Sequence, residues 1–245
     1  MLKSKLRKNH TKKSVKFPIT DYKYEGFFNI ESFKSPQPIN LSANSKNKNF
    51  AKFIGYPKLT ENSIILSGGN GLDTGIKDNK DLTFFSIFRK TSHIDQKDNK
   101  SFIVGTSYGT AIGNNKNTYG TALIANSNKS LSFQCSRGNS IEEQITGSVT
   151  LDKLDLNEWN LVWVKCSDML TTICCYNKKI ETSHEFNCPR LLQSENIKIG
   201  TNSGLNSGII EIFNTVIFNR ALNDNEVETV CEILKKQASE AKITL

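Results

Sequence analysis

Apolar positions along this chain follow a period of two far more often than one of 3.6. Leu131, Phe133 and Cys135 alternate with Ser132 and Gln134, which predicts a strand with one buried face. A hairpin should join it to residues 121–125 across the turn 126–129. Residues 81–89 are apolar at adjacent positions, through Phe84, Phe85, Ile87 and Phe88, as expected of a strand covered on both faces. Further strands are expected at Ile64–Leu66, Ser101–Gly105, 159–164, 197–200 and 209–218, with a hairpin turning at Asn177 and Lys178. The loop 67–71 carries three glycines and requires positive φ at one or more of them. Strand signals about ten to fifteen residues apart, with Gly and Asn between them, predict an all-β sandwich.

One helix stands out, and it is last. Asn223 is placed to cap it, and Asp224 and Glu226 complement the dipole of its first turn. Val227, Val230, Cys231 and Leu234 then form one apolar stripe, so the helix should lie against a sheet edge or the flank of the sandwich. Before residue 57 the pattern is irregular and broken by Pro18, Pro36 and Pro38, which suits short edge strands, at 17–19 and 22–30, rather than central ones.

Residues 158–226 carry a likeness to a known family. A strand begins near Trp159 and Trp163, a second ends in Tyr176-Asn177, and a third ends in Ile199-Gly200. Gly208 then opens a strand that runs into Phe218-Asn219-Arg220-Ala221-Leu222 and an acidic helix start. This succession resembles concanavalin A-like, laminin G-like (pentraxin-like) β-sandwich domains. The resemblance implies an antiparallel jelly roll with a short C-terminal helix, and a domain that binds glycans or proteins through rim loops or its concave sheet. Where the family has Asn-Gly, this chain has Asn177-Lys178, so a lysine is expected to bear a left-handed conformation costing about 1 kcal/mol unless the loop is longer. Trp159 and Trp163 have the same parity on their strand and are read as core packing rather than sugar platforms. Arg220 is expected to close a salt bridge to an acid at the helix start.

Charge then divides the chain. Seven of the 32 basic residues (Lys3, Lys5, Arg7, Lys8, Lys12, Lys13 and Lys16) lie in residues 1–16, which contain no acid. The remainder is close to neutral against 24 acidic residues, so a basic face for nucleic acid is not expected on the domain itself. The expected organisation is a basic flexible arm, 1–16, followed by a sandwich domain, 17–245. Through Lys3, Lys5, Arg7, Lys8, Lys12 and Lys13 the arm is the candidate tether to nucleic acid or to a large homo- or hetero-assembly. No apolar run approaches the roughly 20 residues of a membrane span, and no apolar stretch follows the basic start as in a signal peptide. Synthesis inside the cell is expected, with virion association or organelle import left open. The six cysteines show no CxxC pair and are read as reduced, mostly buried thiols; Cys174 and Cys175, being adjacent, should face opposite ways.

Candidate chemistry is sparse. Laminarinase-like glycosidases of this fold carry Glu-x-Asp-x-x-Glu on one strand, and this sequence does not contain it. His10, His93 and His184 lie in no nucleophile motif, and the glycines at 68–71 are not followed by Lys-Ser/Thr. No catalytic residue is assigned. The richest candidate is the loop 105–120, where Tyr108 and Tyr119 could stack on a sugar ring and Asn114, Asn115 and Asn117 could engage its hydroxyls. The only cofactor considered is Ca²⁺, which family members hold at the rim; Asp73 and Asp78 are its candidate ligands, in a region read as loop, although such an ion requires six to eight oxygens. The leading expectation is a non-catalytic, lectin-like module for a glycan or cell-surface receptor, of the kind found in viral, phage or bacterial surface appendages. The alternatives are a virion or organellar structural subunit held by its arm, and a glycoside hydrolase.

Overall fold

The computed structural model describes residues 24–27, 51–91, 100–126, 129–201, 206 and 208–245. The strands are β1 (Tyr24–Phe27), β2 (Lys52–Ile54), β3 (Lys58–Leu59), β4 (Ile64–Leu66), β5 (Gly71–Lys77), β6 (Leu82–Lys90), β7 (Ser101–Gly105) and β8 (Tyr108–Thr110). They continue as β9 (Asn117–Tyr119), β10 (Ala122–Ala125), β11 (Leu131–Arg137), β12 (Ile145–Leu151), β13 (Asn160–Cys166) and β14 (Leu170–Cys175). β15 (Ile180–Glu185), β16 (Asn196–Ile199), β17 (Ile210–Phe218) and the helix α1 (Asp224–Glu240) complete the order.

Two antiparallel sheets make a β-sandwich. The first runs β15-β14-β13-β6-β17-β4-β3, with β1 also paired to β17; the second runs β12-β11-β10-β7-β16-β5-β2. Alternation along each strand fills the space between them. Leu82, Phe84 and Phe88 of β6 and Val162 and Val164 of β13 meet Val104, Leu123, Leu131, Phe133, Ile197 and Ile199 of the facing sheet, all buried. Gly200, which ends β16, has φ +77°, and a Cβ there would strike the side chain of Leu66.

The opposite faces of β6, β13 and β17 are apolar as well, and α1 covers them. Val227, Val230, Cys231 and Leu234 pack on Phe85, Ile87, Leu161, Trp163, Val216 and Phe218. The helix therefore lies over an outer sheet face, not at an edge or flank as the stripe alone suggested. The two-sided burial of β6 required a second layer there. Asn223 and Glu226 form a capping box, and Arg220 holds Glu226 at 2.6 Å, as the sequence implied. β17 adapts to both layers with a bulge. Ile212 pairs with Phe88 and Asn214 with Ile87, so Phe213 is the extra residue. Phe213 joins the helix-side core, and Asn214 donates to Gln237 of α1 at 2.8 Å.

The β14–β15 hairpin has a four-residue connection, because Cys175 pairs with Ile180. Lys178 stays in a single 3-10 turn, Tyr176–Lys178, and Lys179 takes the left-handed conformation at φ 55°. The strain expected at Lys178 falls one residue later. Asn177 instead ties the turn to β13, accepting from Leu161 N at 3.0 Å and donating to Trp159 O at 3.2 Å. All six cysteines are unpaired and five are buried, with Cys175 between the sheets and Cys174 facing the helix. Among the described residues, no helix is long and apolar enough to cross a membrane. The basic arm 1–16, and the strand expected at 17–19, lie outside the described residues.

Candidate functional site: an exposed tyrosine hairpin

The segment read as a loop, 105–120, contains a short hairpin. β8 and β9 pair with Tyr108 opposite Tyr119, Gly109 opposite Thr118 and Thr110 opposite Asn117. Alternation therefore sets Tyr108, Thr110, Asn117 and Tyr119 on one face and Thr118, fully buried, on the other. The two rings meet with centroids 5.1 Å apart at 59°, within the range of favourable aromatic pairs. Tyr108 is 48% exposed and Tyr119 56%. Large aromatics at that exposure are available to a ligand without unfolding anything.

The hairpin is held from beneath. At its root, Thr106 N and Ser107 N both donate to Thr121 O, at 2.8 and 3.0 Å. At its tip, Ala111 N donates to Lys116 O at 2.9 Å, and Asn114 Oδ1 accepts from Lys116 N at 2.9 Å. Residues 188–195 run below it as a strap, with Ile112 N donating to Leu192 O at 3.0 Å and Ser194 N to Thr110 O at 2.8 Å. Gly109 lets the strap approach, since a Cβ there would collide with the buried Gln193 side chain. On the far side Thr118 Oγ1 donates to Gln144 Oε1 at 2.8 Å.

The strap is itself pinned by a buried ion pair. Arg190 Nη2 donates to both oxygens of Asp78 at 2.9 Å, and neither side chain reaches solvent. Arg190 Nη1 donates to Lys80 O at 2.8 Å. Burial works against the Arg190 charge, but Asp78 overrides it and the guanidinium is held more firmly protonated than usual. Beside it Leu191 N donates to Ser136 O at 2.9 Å, and Gly138 N donates to Pro189 O at 3.0 Å.

A depression of about 430 Å³ opens between the hairpin tip and the strap, lined by Lys80, Ile112, Asn114, Ser140, Glu142 and Arg190 among others. Ile112, 61% exposed, forms part of its rim. The carboxylate here is engaged: Lys116 Nζ lies 2.7 Å from Glu142 Oε1, and that hydrogen bond holds the Glu142 carboxyl below its ordinary range. A larger groove of about 780 Å³ runs beside α1, but its groups serve one another. Trp163 is 6% exposed in the helix–sheet core, Lys165 meets Asp224 at 2.6 Å, and the Tyr176 hydroxyl lies 2.6 Å from Glu228.

Of the residues singled out from the sequence, the structure brings Tyr108, Asn117 and Tyr119 to one face. Asn114 lies in the turn with its amide oxygen committed locally, and Asn115 is exposed at the tip. Asp73 and Asp78 do not converge. Asp73 lies in β5, not a loop, and accepts from Asn196 Nδ2 at 3.0 Å, whereas Asp78 is neutralised by Arg190. Among the described residues, no group of three or more His, Cys, Asp or Glu could hold a metal ion. Lys3, Lys5, Arg7, Lys8, Lys12 and Lys13 lie outside the described residues. Thr110, Ile112, Gln144 and the Asp78–Arg190 pin were not visible beforehand; the pin joins positions 112 apart, and nothing local marks it.

No protein-family model matches the chain, and no curated protein matches it in sequence. Solved structures match it in fold. The botulinum neurotoxin type G receptor-binding domain superposes with a TM-score of 0.61 at 12% identity, over 87% of this chain and 51% of that one. The ligand-binding domain of botulinum neurotoxin serotype D, solved in complex with N-acetylneuraminic acid, gives a TM-score of 0.60 at 12% identity over the same shares. Trypanosoma rangeli sialidase in complex with sialic acid gives 0.60 at 13% identity, over 87% of this chain and 33% of that one. The chain thus spans about half or less of the structures it matches, and at these identities the likeness is one of fold.

Proposed function

We propose that this chain is a non-catalytic recognition module that takes a glycan or a cell-surface receptor on its β8–β9 hairpin. The observation that carries the proposal is the Tyr108–Tyr119 pair, half-exposed on a hairpin anchored at root, tip and underside. A pre-formed aromatic surface ringed by amide and hydroxyl groups suits a ligand that is apolar on one face and polar at its edge. The resemblance to concanavalin A-like and laminin G-like domains agrees with this reading, as do fold neighbours described as receptor-binding or solved with a sialic acid. The carboxylates beside the hairpin are ion-paired, Glu142 with Lys116 at 2.7 Å and Glu195, which packs against Gly109, with Lys198 at 3.7 Å, and this suits binding better than proton transfer. The test is binding to a glycan array and to glycan-bearing cells by wild type and by a Tyr108→Ala/Tyr119→Ala variant. Binding that the variant loses, at unchanged melting temperature, supports the proposal; an inert wild type refutes it.

A second reading rests on the crowding of seven basic residues into positions 1–16. It makes the chain an assembly subunit whose arm meets nucleic acid or an acidic partner. Deleting residues 2–16 should abolish assembly on that reading and leave glycan capture intact on the first.

A further inference from the structure

Building on the recognition reading, we infer that the hairpin binds a small saccharide, one or two pyranose units, by stacking the C–H face of a sugar ring on Tyr108 and Tyr119. The argument starts from area. At 48% and 56% exposure the two tyrosines together offer about one tyrosine's worth of surface, roughly 150–250 Å². A stable protein partner needs roughly 800 Å² on each side, several times more. The ligand that this platform can satisfy alone is a small molecule.

The geometry of the face then selects its chemistry. The rings are tilted at 59° to one another, so they form an open angle instead of a slot for a flat aromatic ligand. A pyranose is puckered and presents axial C–H bonds on one side, which can rest on one ring while its edge contacts the other. Thr110 and Asn117 form the next row of the same face, about 7 Å along the strands, where hydroxyls of the stacked sugar, or of one further ring, would fall. A hydroxyl and an amide there supply both donors and acceptors. The small contact area also implies weak single-site binding, in the millimolar range, so tight capture of a cell surface would require several copies acting together.

Saturation-transfer NMR on the full chain tests this, with methyl β-galactopyranoside, methyl β-glucopyranoside and lactose as probes at millimolar concentration. The expected result is transfer centred on ring C–H protons, weakened tenfold or more in apparent affinity by Tyr108→Ala or Tyr119→Ala. Tyr108→Phe and Tyr119→Phe keep the ring and its packing, and should bind within about threefold of wild type, because stacking uses the ring and not the hydroxyl. Transfer that survives the double alanine variant, or that the phenylalanine variants abolish, overturns the inference. If no probe shows transfer while tyrosine-dependent capture by cells persists, the saccharide inference fails and the recognition reading stands. If both are absent, both fail.

Discussion

Asp78→Ala is the substitution from which the structure predicts most. It removes the carboxylate that, among the described residues, pairs with the Arg190 guanidinium, whose side chain is fully buried, and leaves that guanidinium with backbone carbonyls such as Lys80 O. Stranding one partner of a buried pair costs about 3–5 kcal/mol, and the remaining carbonyl acceptors favour the lower end. At 2–4 °C per kcal/mol for a domain of this size, about 3 kcal/mol corresponds to a fall in melting temperature of roughly 6–12 °C. Because Arg190 pins the strap, the loss should also be local. The amides of Ile112 and Ser194, which donate to and from the strap, should exchange faster relative to core amides of β6 and β13. Replacing both partners, Asp78→Leu with Arg190→Met, should recover most of the stability, since the penalty comes from an uncompensated charge. Calorimetry and amide exchange read these effects. A single variant within about 1 kcal/mol of wild type, or a double variant no better than the single, would refute the reasoning.

Other expectations are simpler. Arg220 and the Asn223 backbone amide hold Glu226 down to about 2 from an ordinary 4.5, so its contribution is complete above about pH 4.5 and is lost as the pH falls towards 2. Glu226→Gln should therefore flatten the acid limb of a stability–pH curve, and an unchanged limb would count against the capping box. Gly200→Ala forces a side chain into left-handed backbone against Leu66 and should cost at least about 1–2 kcal/mol in a urea titration. Trp163→Ala should cost about 3–5 kcal/mol without affecting glycan capture, because the indole packs under α1; lost capture at retained fold would reassign it. A thiol reagent added to native protein should modify Cys188 well before the other five, and rapid reaction of Cys166 would contradict its burial.

What was legible beforehand follows from where the information lies. β6, β7, β11 and α1 could be read because their own residues carry the signal: two-sided apolar runs, alternation, or a cap followed by a stripe. β5 and β12 could not. The segment Gly71–Lys77 contains two glycines and an aspartate, and it is a strand because β2 and β16 pair with it from both sides. In Ile145–Leu151 the inward row that alternates with Thr146, Ser148 and Thr150 begins at a glycine, Gly147, so the apolar signal is short, and β11 holds the segment in register. The same division applies to the site. Tyr108 and Tyr119 were conspicuous in a loop rich in Asn and Gly, whereas their pairing depends on Gln193, Gln144 and a salt bridge formed far away in the sequence.

The position of α1 bears on how this protein is made. Phe85, Ile87, Leu161, Trp163 and Phe218 are synthesised well before the residues that shield them, and β17, which joins β1, β4 and β6, arrives only shortly before. During translation the first sheet therefore has an uncovered greasy side until the codons for α1 are read, and nascent chains are most prone to self-association in that interval. A premature stop near residue 222 would leave the tyrosine hairpin's sequence complete yet yield a sticky, poorly soluble product.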